Sequence, residues 1–265
     1  MSINTFIAFI LAFGMFVGSI LLNTDNPNLF FSLSSIFMVL GGTLASSFLG
    51  QEARYVFLAL RGILSIFSVQ RIGRDVLNRE VGRIIRWGYL VQKQGMVALD
   101  TETSKVKNDE FLTFGIELVL SGYEGPQIRQ NLQTMNDTTY GRNLIPAAIL
   151  KQMAGAAPAF GMIGTLVGLI IMLSNMGGDP SALGSGLSVA LLTTLYGVIV
   201  ARMIFLPAAA KLTQREQINK FRRTILVEGL AMLADRKNPR YIQDRMNSFL
   251  DPAIRFDIDK QMKDK

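Results

Sequence analysis

Neither cysteine nor histidine occurs anywhere in the 265 residues. Without thiols there is no disulfide, no thiolate metal site and no palmitoylation site. Without imidazole, histidine ligation of haem or zinc, histidine-dependent triads and the usual general base near neutral pH are lost together. Walker A and GxGxxG patterns are also missing, so no phosphate-cradling loop is present. No enzyme and no permanently bound cofactor are expected. Positive charge is absent from defined places as well: no Lys or Arg precedes Arg54, and none falls between Lys151 and Arg202.

What is present is apolar length. With 49% hydrophobic residues and a mean hydropathy of +0.32, the chain reads as a membrane protein with a substantial polar remainder. Ile3–Leu22 and Leu29–Leu49 are two apolar runs joined by the turn Asn23–Asn28. Ala156–Met176 and Gly184–Pro207 are two more. Each is long enough for a helix to cross a bilayer, which takes roughly 20 residues at about 1.5 Å rise. The net charge is +7, and all 27 Lys and Arg residues lie between Arg54 and Lys151 or from Arg202 onward. That segregation follows the positive-inside rule and places both stretches, and both termini, in the cytoplasm. No aromatic nucleic-acid motif accompanies the charge, so no nucleic-acid partner is expected.

The fold class is therefore an all-α membrane protein. Residues 1–50 form a transmembrane hairpin, 51–150 a helical cytoplasmic domain, 151–210 two further spans, and 211–265 a helical tail. In the polar stretch, Arg54–Phe67 reads as an apolar helix with arginine near its start. Arg71–Gln94 has Val81, Ile84, Ile85 and Gly88 on one face, and Gly95 closes it. A helix over Asp109–Leu120 ends at Ser121-Gly122, and another starts near Gln127 and can run on toward the third span. Gln214–Asp235 is helical, and Asn238-Pro239 restarts a helix over Arg240–Leu250.

The second pair of spans carries the pattern with chemical content. Ala157, Gly161, Gly164, Thr165 and Gly168 fall in one narrow sector of the third span. Gly186, Ala190, Thr193, Thr194, Gly197 and Ala201 make a matching stripe on the fourth. Small residues let helix backbones approach closely. Pro158 and Pro207 each remove a backbone donor and free a carbonyl that needs another partner. Two readings stay open on the residues alone: ordinary close packing, or a hydrated seam lined by threonine hydroxyls that passes an ion.

The stretches APAFGMIGTLVGLIIMLSNM and VALLTTLYGVIV, with MVLGGT (Met38–Thr43), KQGMVALD (Lys93–Asp100) and EGLAML…NPRYI (Glu228–Ile242), resemble the MotA/PomA family. That family is the larger membrane subunit of the flagellar motor stator, and the resemblance is nearest its sodium-type PomA branch. It covers essentially the whole chain. It implies a ring of about five copies around a single-span, peptidoglycan-anchored MotB/PomB-type partner that supplies the ion-carrying aspartate, and contact with a rotor switch-complex protein. Consistently, no Asp or Glu lies inside any span: Asp25 and Asp179 fall in outer turns, and Glu52 follows the second span.

Carried over at matching positions, the resemblance makes Pro158 and Pro207 the coupling prolines. Thr165 and Thr194 become hydroxyls near the ion path and transient ligands for sodium, with Thr193 a neighbouring candidate. Sodium or a proton is the implied coupling ion. Lys93 and Asp100 match charged positions that face the rotor, and a solvated helix end is the competing reading for both. The chain departs from the family at Gln92, where a basic residue is usual, and at Ser32, where many sodium-type relatives have Asp. An ExbB/TolQ-type energiser is the alternative, but two spans before the large polar domain favour the stator layout. A self-contained channel or transporter is disfavoured by the lack of intramembrane carboxylates and of inverted repeats.

Overall fold

The computed structural model describes residues 3–68, 74–103, 106, 109–175 and 180–256; Arg71, Met176 and Asp179 lie outside them. In chain order the helices are α1 (Ile3–Asn23), α2 (Leu33–Ile36), α3 (Gly42–Gly50), α4 (Ala53–Ser65), α5 (Arg74–Gln94), α6 (Asp100–Thr103), α7 (Glu110–Leu120), α8 (Gly125–Ser174), α9 (Pro180–Ile199), α10 (Leu206–Ala234) and α11 (Pro239–Asn247). Short 3₁₀ turns at Pro27–Phe30, Met96–Leu99 and Pro252–Ile254, and π-helical stretches at Phe37–Gly41 and Val200–Phe205, complete them. The all-α expectation holds: no strand occurs among the described residues. Among the described residues, four helical stretches are long and apolar enough to cross a membrane, at Phe6–Asn23, at Pro27–Gly50, and within Gly125–Ser174 and Leu183–Ala234.

Two compact units emerge, one of Met1–Val69 with Leu144–Gln214, the other of Gln70–Asn143 with Arg215–Lys265. The first is organised around small residues. Its core joins Val39, Ala59, Leu150, Met153, Ala157 and Phe205, among others. The second span is not one unbroken helix. Pro27 opens a 3₁₀ turn, Phe31 is extended, and the helix restarts at Leu33 with the Ser32 side chain accepting from Ser35 N–H. Asp and Ser are about equally good at such an N-cap. Ser32 is therefore a sufficient N-cap for the restarted helix.

Thr43 and Ser47, buried in α3, return their hydroxyls to Val39 O (2.6 Å) and Thr43 O (2.9 Å), so neither is left unsatisfied. α8 runs helical through both Pro146 and Pro158 over 50 residues. The start expected near Gln127 falls at Gly125, and the helix does continue into the third span. Pro207 stands two residues after the end of the π stretch Val200–Phe205. A π turn there relieves the ladder where proline can neither donate nor pack tightly against the preceding turn.

The second unit has an aliphatic core that includes Val81, Ile84, Ile85, Leu112, Ile116 and Leu230. The buried face expected for α5 is the observed one. Gly95 and Gly122 end α5 and α7 at φ +80°, which glycine adopts without strain. Asp109 caps α7 by accepting from Leu112 N–H at 3.2 Å. Asn238 caps α11 with Pro239 in its first turn.

Ion-paired groups tie this unit together. Arg222 on α10 reaches Glu80 on α5 at 2.7 Å and also Asp109 at the head of α7. Arg129 meets Glu228 through two hydrogen bonds of 2.8 and 3.1 Å. Arg223 joins Glu216 and Asn136. Burial works against the charge on Arg222, but Glu80 and Asp109 outweigh it and hold its pKa above the ordinary value.

Candidate ion-conducting seam

The seam between α8 and α9 is where the small-residue stripes meet. A Cβ on Gly168 would lie 2.7 Å from both Ala190 N and Gly186 O. One on Gly161 would lie 2.9 Å from Thr193 O, and one on Gly197 would lie 2.7 Å from Ala157 O and 3.2 Å from Pro158 Cα. These are backbone-to-backbone approaches that only glycine allows. Gly164 differs: a Cβ there would lie 2.5–2.7 Å from the Thr193 side chain.

Within this contact the threonines divide. Thr193 is fully buried, and its hydroxyl lies 3.0 Å from both Val189 O and Ala190 O on its own helix. It fills the seam and satisfies itself locally. Thr165 and Thr194 instead face each other, with their hydroxyl oxygens 2.5 Å apart. The Thr165 hydroxyl is also 3.1 Å from Gly161 O and 3.1 Å from Ala190 O, and the Thr194 hydroxyl is 3.5 Å from Gly161 O. Thr194 is exposed and Thr165 half-buried. Four oxygens from two helices thus converge at an open edge, with two hydroxyl protons to share among them.

That arrangement can do two things chemically. Uncharged hydroxyl and carbonyl oxygens suit a hard monovalent cation that sheds part of its hydration. They can also pass hydrogen bonds along a water chain. They cannot carry a proton by titration, because no member of the cluster ionises near neutral pH. No group of three or more Asp and Glu poised for a metal exists among the described residues. Pro158 packs against Gly197 at this same level, while Pro207 lies beyond the π stretch.

Sequence reasoning passed over Tyr196 and Phe160. The Tyr196 hydroxyl accepts from Ser32 N–H at 3.1 Å and donates to the Phe30 carbonyl, tying the head of the second span to α9. A Cβ on Gly42 would run into the Phe160 ring. A tyrosine inside an apolar run was the available signal for the first, since a phenol seeks a polar partner. Nothing local marks the second. Lys93 and Asp100 are both exposed, at the last turn of α5 and the first residue of α6, with Met96–Leu99 between them.

Comparison with known proteins agrees with this geometry. A family description, the MotA/TolQ/ExbB proton channel family, matches residues 103–225. The Motility protein A of Borreliella burgdorferi is 30% identical over 99% of both chains. The Chemotaxis protein PomA of Vibrio alginolyticus is 32% identical over 86% of this chain and 87% of its own. In fold, the chain superposes on the flagellar MotAB stator complex from Bacillus subtilis with a TM-score of 0.83 at 22% identity, covering 93% of this chain and 95% of that one. Long apolar spans, a glycine-packed seam and end-to-end similarity lead to one assignment: the chain belongs to the MotA/PomA family of motility proteins.

Proposed function

We propose that this chain is the multi-span stator subunit that brings sodium past Thr165 and Thr194 and converts its inward flow into torque on the flagellar rotor. The observation that carries the reading is the paired hydroxyls, 2.5 Å apart, at the open edge of a seam otherwise closed by glycine. The seam has oxygens but no carboxylate, so a MotB/PomB-type single-span partner anchored to peptidoglycan brings the aspartate to it. A ring of copies in the inner membrane surrounds that partner. In support, Met162, Leu166, Ile170 and Leu173 on α8 are all more than half exposed in the single chain, an apolar face for lipid and neighbouring subunits to cover. Both termini and the polar unit face the cytoplasm, where Lys93 and Asp100 meet the rotor. Pro158 and Pro207 flank the stretch through which passage of the ion moves the helices. An ExbB/TolQ-type role has no observation of its own to favour it.

The test is Thr194→Ala in a strain lacking its own stator. Losing one oxygen ligand costs about 1–3 kcal/mol, judged from the penalty for an unmatched buried polar group, or roughly tenfold or more in apparent ion affinity. Motility is expected to fall sharply, and residual swimming to need more external sodium. Wild-type swimming that ignores sodium and collapses with a protonophore would assign protons instead.

A second expectation concerns the partner. Expressed alone, the chain should give no ion leak and no ion-dependent growth defect, because its spans carry no carboxylate. Substantial conductance from the purified chain without its partner would refute an aspartate delivered in trans.

A further inference from the structure

The second span is interrupted twice where it packs on α9. Phe31 and Ser32 are extended, at φ −118° and −134°, and a π stretch follows at Phe37–Gly41. Both α2 and that π stretch lie against α9. The extended break leaves the Phe30 carbonyl and the Ser32 N–H outside any helical ladder. Within a stretch apolar enough for a bilayer, such backbone groups need partners from the protein itself. One phenol serves both. The half-buried Tyr196 offers its oxygen to Ser32 N–H at 3.1 Å and its proton to the Phe30 carbonyl. A hydroxyl has one proton and two lone pairs, so the two bonds can form together.

The place of Tyr196 on α9 gives this clamp a use. Thr194 lies two residues earlier, about 200° round the helix, so the two side chains leave α9 on opposite sides. On one side Thr194 meets Thr165, with the hydroxyl oxygens 2.5 Å apart, and a Cβ on Gly197 would touch Ala157 and Pro158. On the other side Tyr196 grips main-chain atoms, which have no rotamer through which to follow a turning helix. Glycine contacts fix how near α9 comes to α8. A tether on the far side fixes how α9 is rotated about its own axis, and that rotation decides where the Thr194 hydroxyl points.

We propose that Tyr196 is a positioning residue for the threonine pair: its hydroxyl, held by the break in the second span, sets the angle of α9 at which Thr194 meets Thr165. The proposal rests on the reading of that pair as oxygen ligands for the coupling ion. It also gives the break a purpose, since an unbroken helix would present no free N–H and carbonyl for a phenol to hold. The bond from residue 32 comes from its main chain, so it does not depend on which capping side chain stands there.

Tyr196→Phe keeps the ring and removes both bonds. The chain has no cysteine, so Thr165→Cys with Thr194→Cys introduces a single thiol pair. Its rate of oxidation to a disulfide by copper phenanthroline reports how well the two positions face each other. The full chain is used, purified with a cysteine-free form of its single-span partner. In that background Tyr196→Phe should slow disulfide formation about threefold. With both threonines in place, the sodium concentration for half-maximal swimming should rise about fivefold, as for one lost hydrogen bond. Speed at saturating sodium should change little.

Disulfide formation at the unaltered rate overturns the proposal. So does a swimming speed lowered by one factor at every sodium concentration, which would make Tyr196 a general brace. If Tyr196→Phe does not swim at all, the disulfide rate alone decides. Slower disulfide formation with an unchanged sodium requirement overturns the ligand reading of Thr165 and Thr194 and leaves the positioning role standing.

Discussion

Gly168→Ala is expected to abolish swimming, although it adds a single methyl group. The new Cβ would sit 2.7 Å from the backbone nitrogen of Ala190 and 2.7 Å from the backbone oxygen of Gly186. Real Cβ atoms do not approach so closely, and neither neighbour is a side chain that can swing aside. The helices must separate. Overpacking of this kind costs about 1–3 kcal/mol, but the functional loss is larger because α8 and α9 also set the 2.5 Å spacing between Thr165 and Thr194.

Gly197→Ala meets the same obstacle at Ala157 O and is expected to behave alike. The controls are Gly155→Ala and Gly184→Ala, where no atom lies within 4 Å of the added carbon. Both should swim normally, and the first should gain slightly from alanine's helix preference. Swim-plate expansion together with thermal stability of the detergent-solubilised complex measures all four. Gly168→Ala swimming at wild-type speed would show that the seam is not held at backbone contact.

The second large effect lies in the polar unit. Arg222→Ala removes a guanidinium that bonds Glu80 through Nε at 3.0 Å and Nη2 at 2.7 Å, and that also reaches Asp109. Glu80 is only 5% exposed. Arg83 would remain beside its other oxygen, at 2.7 Å, so part of the charge stays matched. Breaking a buried pair by deleting one member costs about 3–5 kcal/mol, and the retained contact to Arg83 puts the expectation at the low end of that range.

Asp109 also caps α7, so loosening Arg222 weakens that helix start as well. Arg222→Lys should restore little, because a single ammonium cannot reproduce the fork between two carboxylates. Thermal melts of the full chain with Glu80→Ala, Arg222→Ala and the double variant supply the cycle. The double variant should lose clearly less than the sum of the singles. Strict additivity would mean that the pair is not coupled.

What could be read from the residues follows from the range over which each signal acts. The spans, the face of α5, the glycine stops at Gly95 and Gly122, and the small-residue stripes are all statements about neighbours within a turn or two of helix. The 3.6-residue period reports such neighbours directly. Thr165 and Thr194 were legible for the same reason, since each stripe defines a facing surface.

The contacts that escaped join distant parts of the chain. Tyr196 meets Ser32 across 164 positions, and Arg222 meets Glu80 across 142. No local pattern pairs two such residues. The π stretches were hidden because they look like ordinary helix in composition, and only the hydrogen-bond offset reveals them.

The π stretch at Val200–Phe205 also sets what lengths of chain evolution can accept here. One surplus residue is absorbed in its wider turn, and Leu206 N–H accordingly bonds back to Ala201 O. Downstream, Ala208 and Ala209 are buried, and Leu212 fills the space beside Gly62. Deleting any single residue from 200–205 would let the stretch relax to an ordinary α-helix. The later side chains would keep their directions, so Ala208, Ala209 and Leu212 would stay on their partners. A one-residue deletion after Leu206, where no surplus residue exists, would instead turn every later side chain by about 100°. Homologous genes should therefore lose single codons within 200–205 and not in the helix that follows.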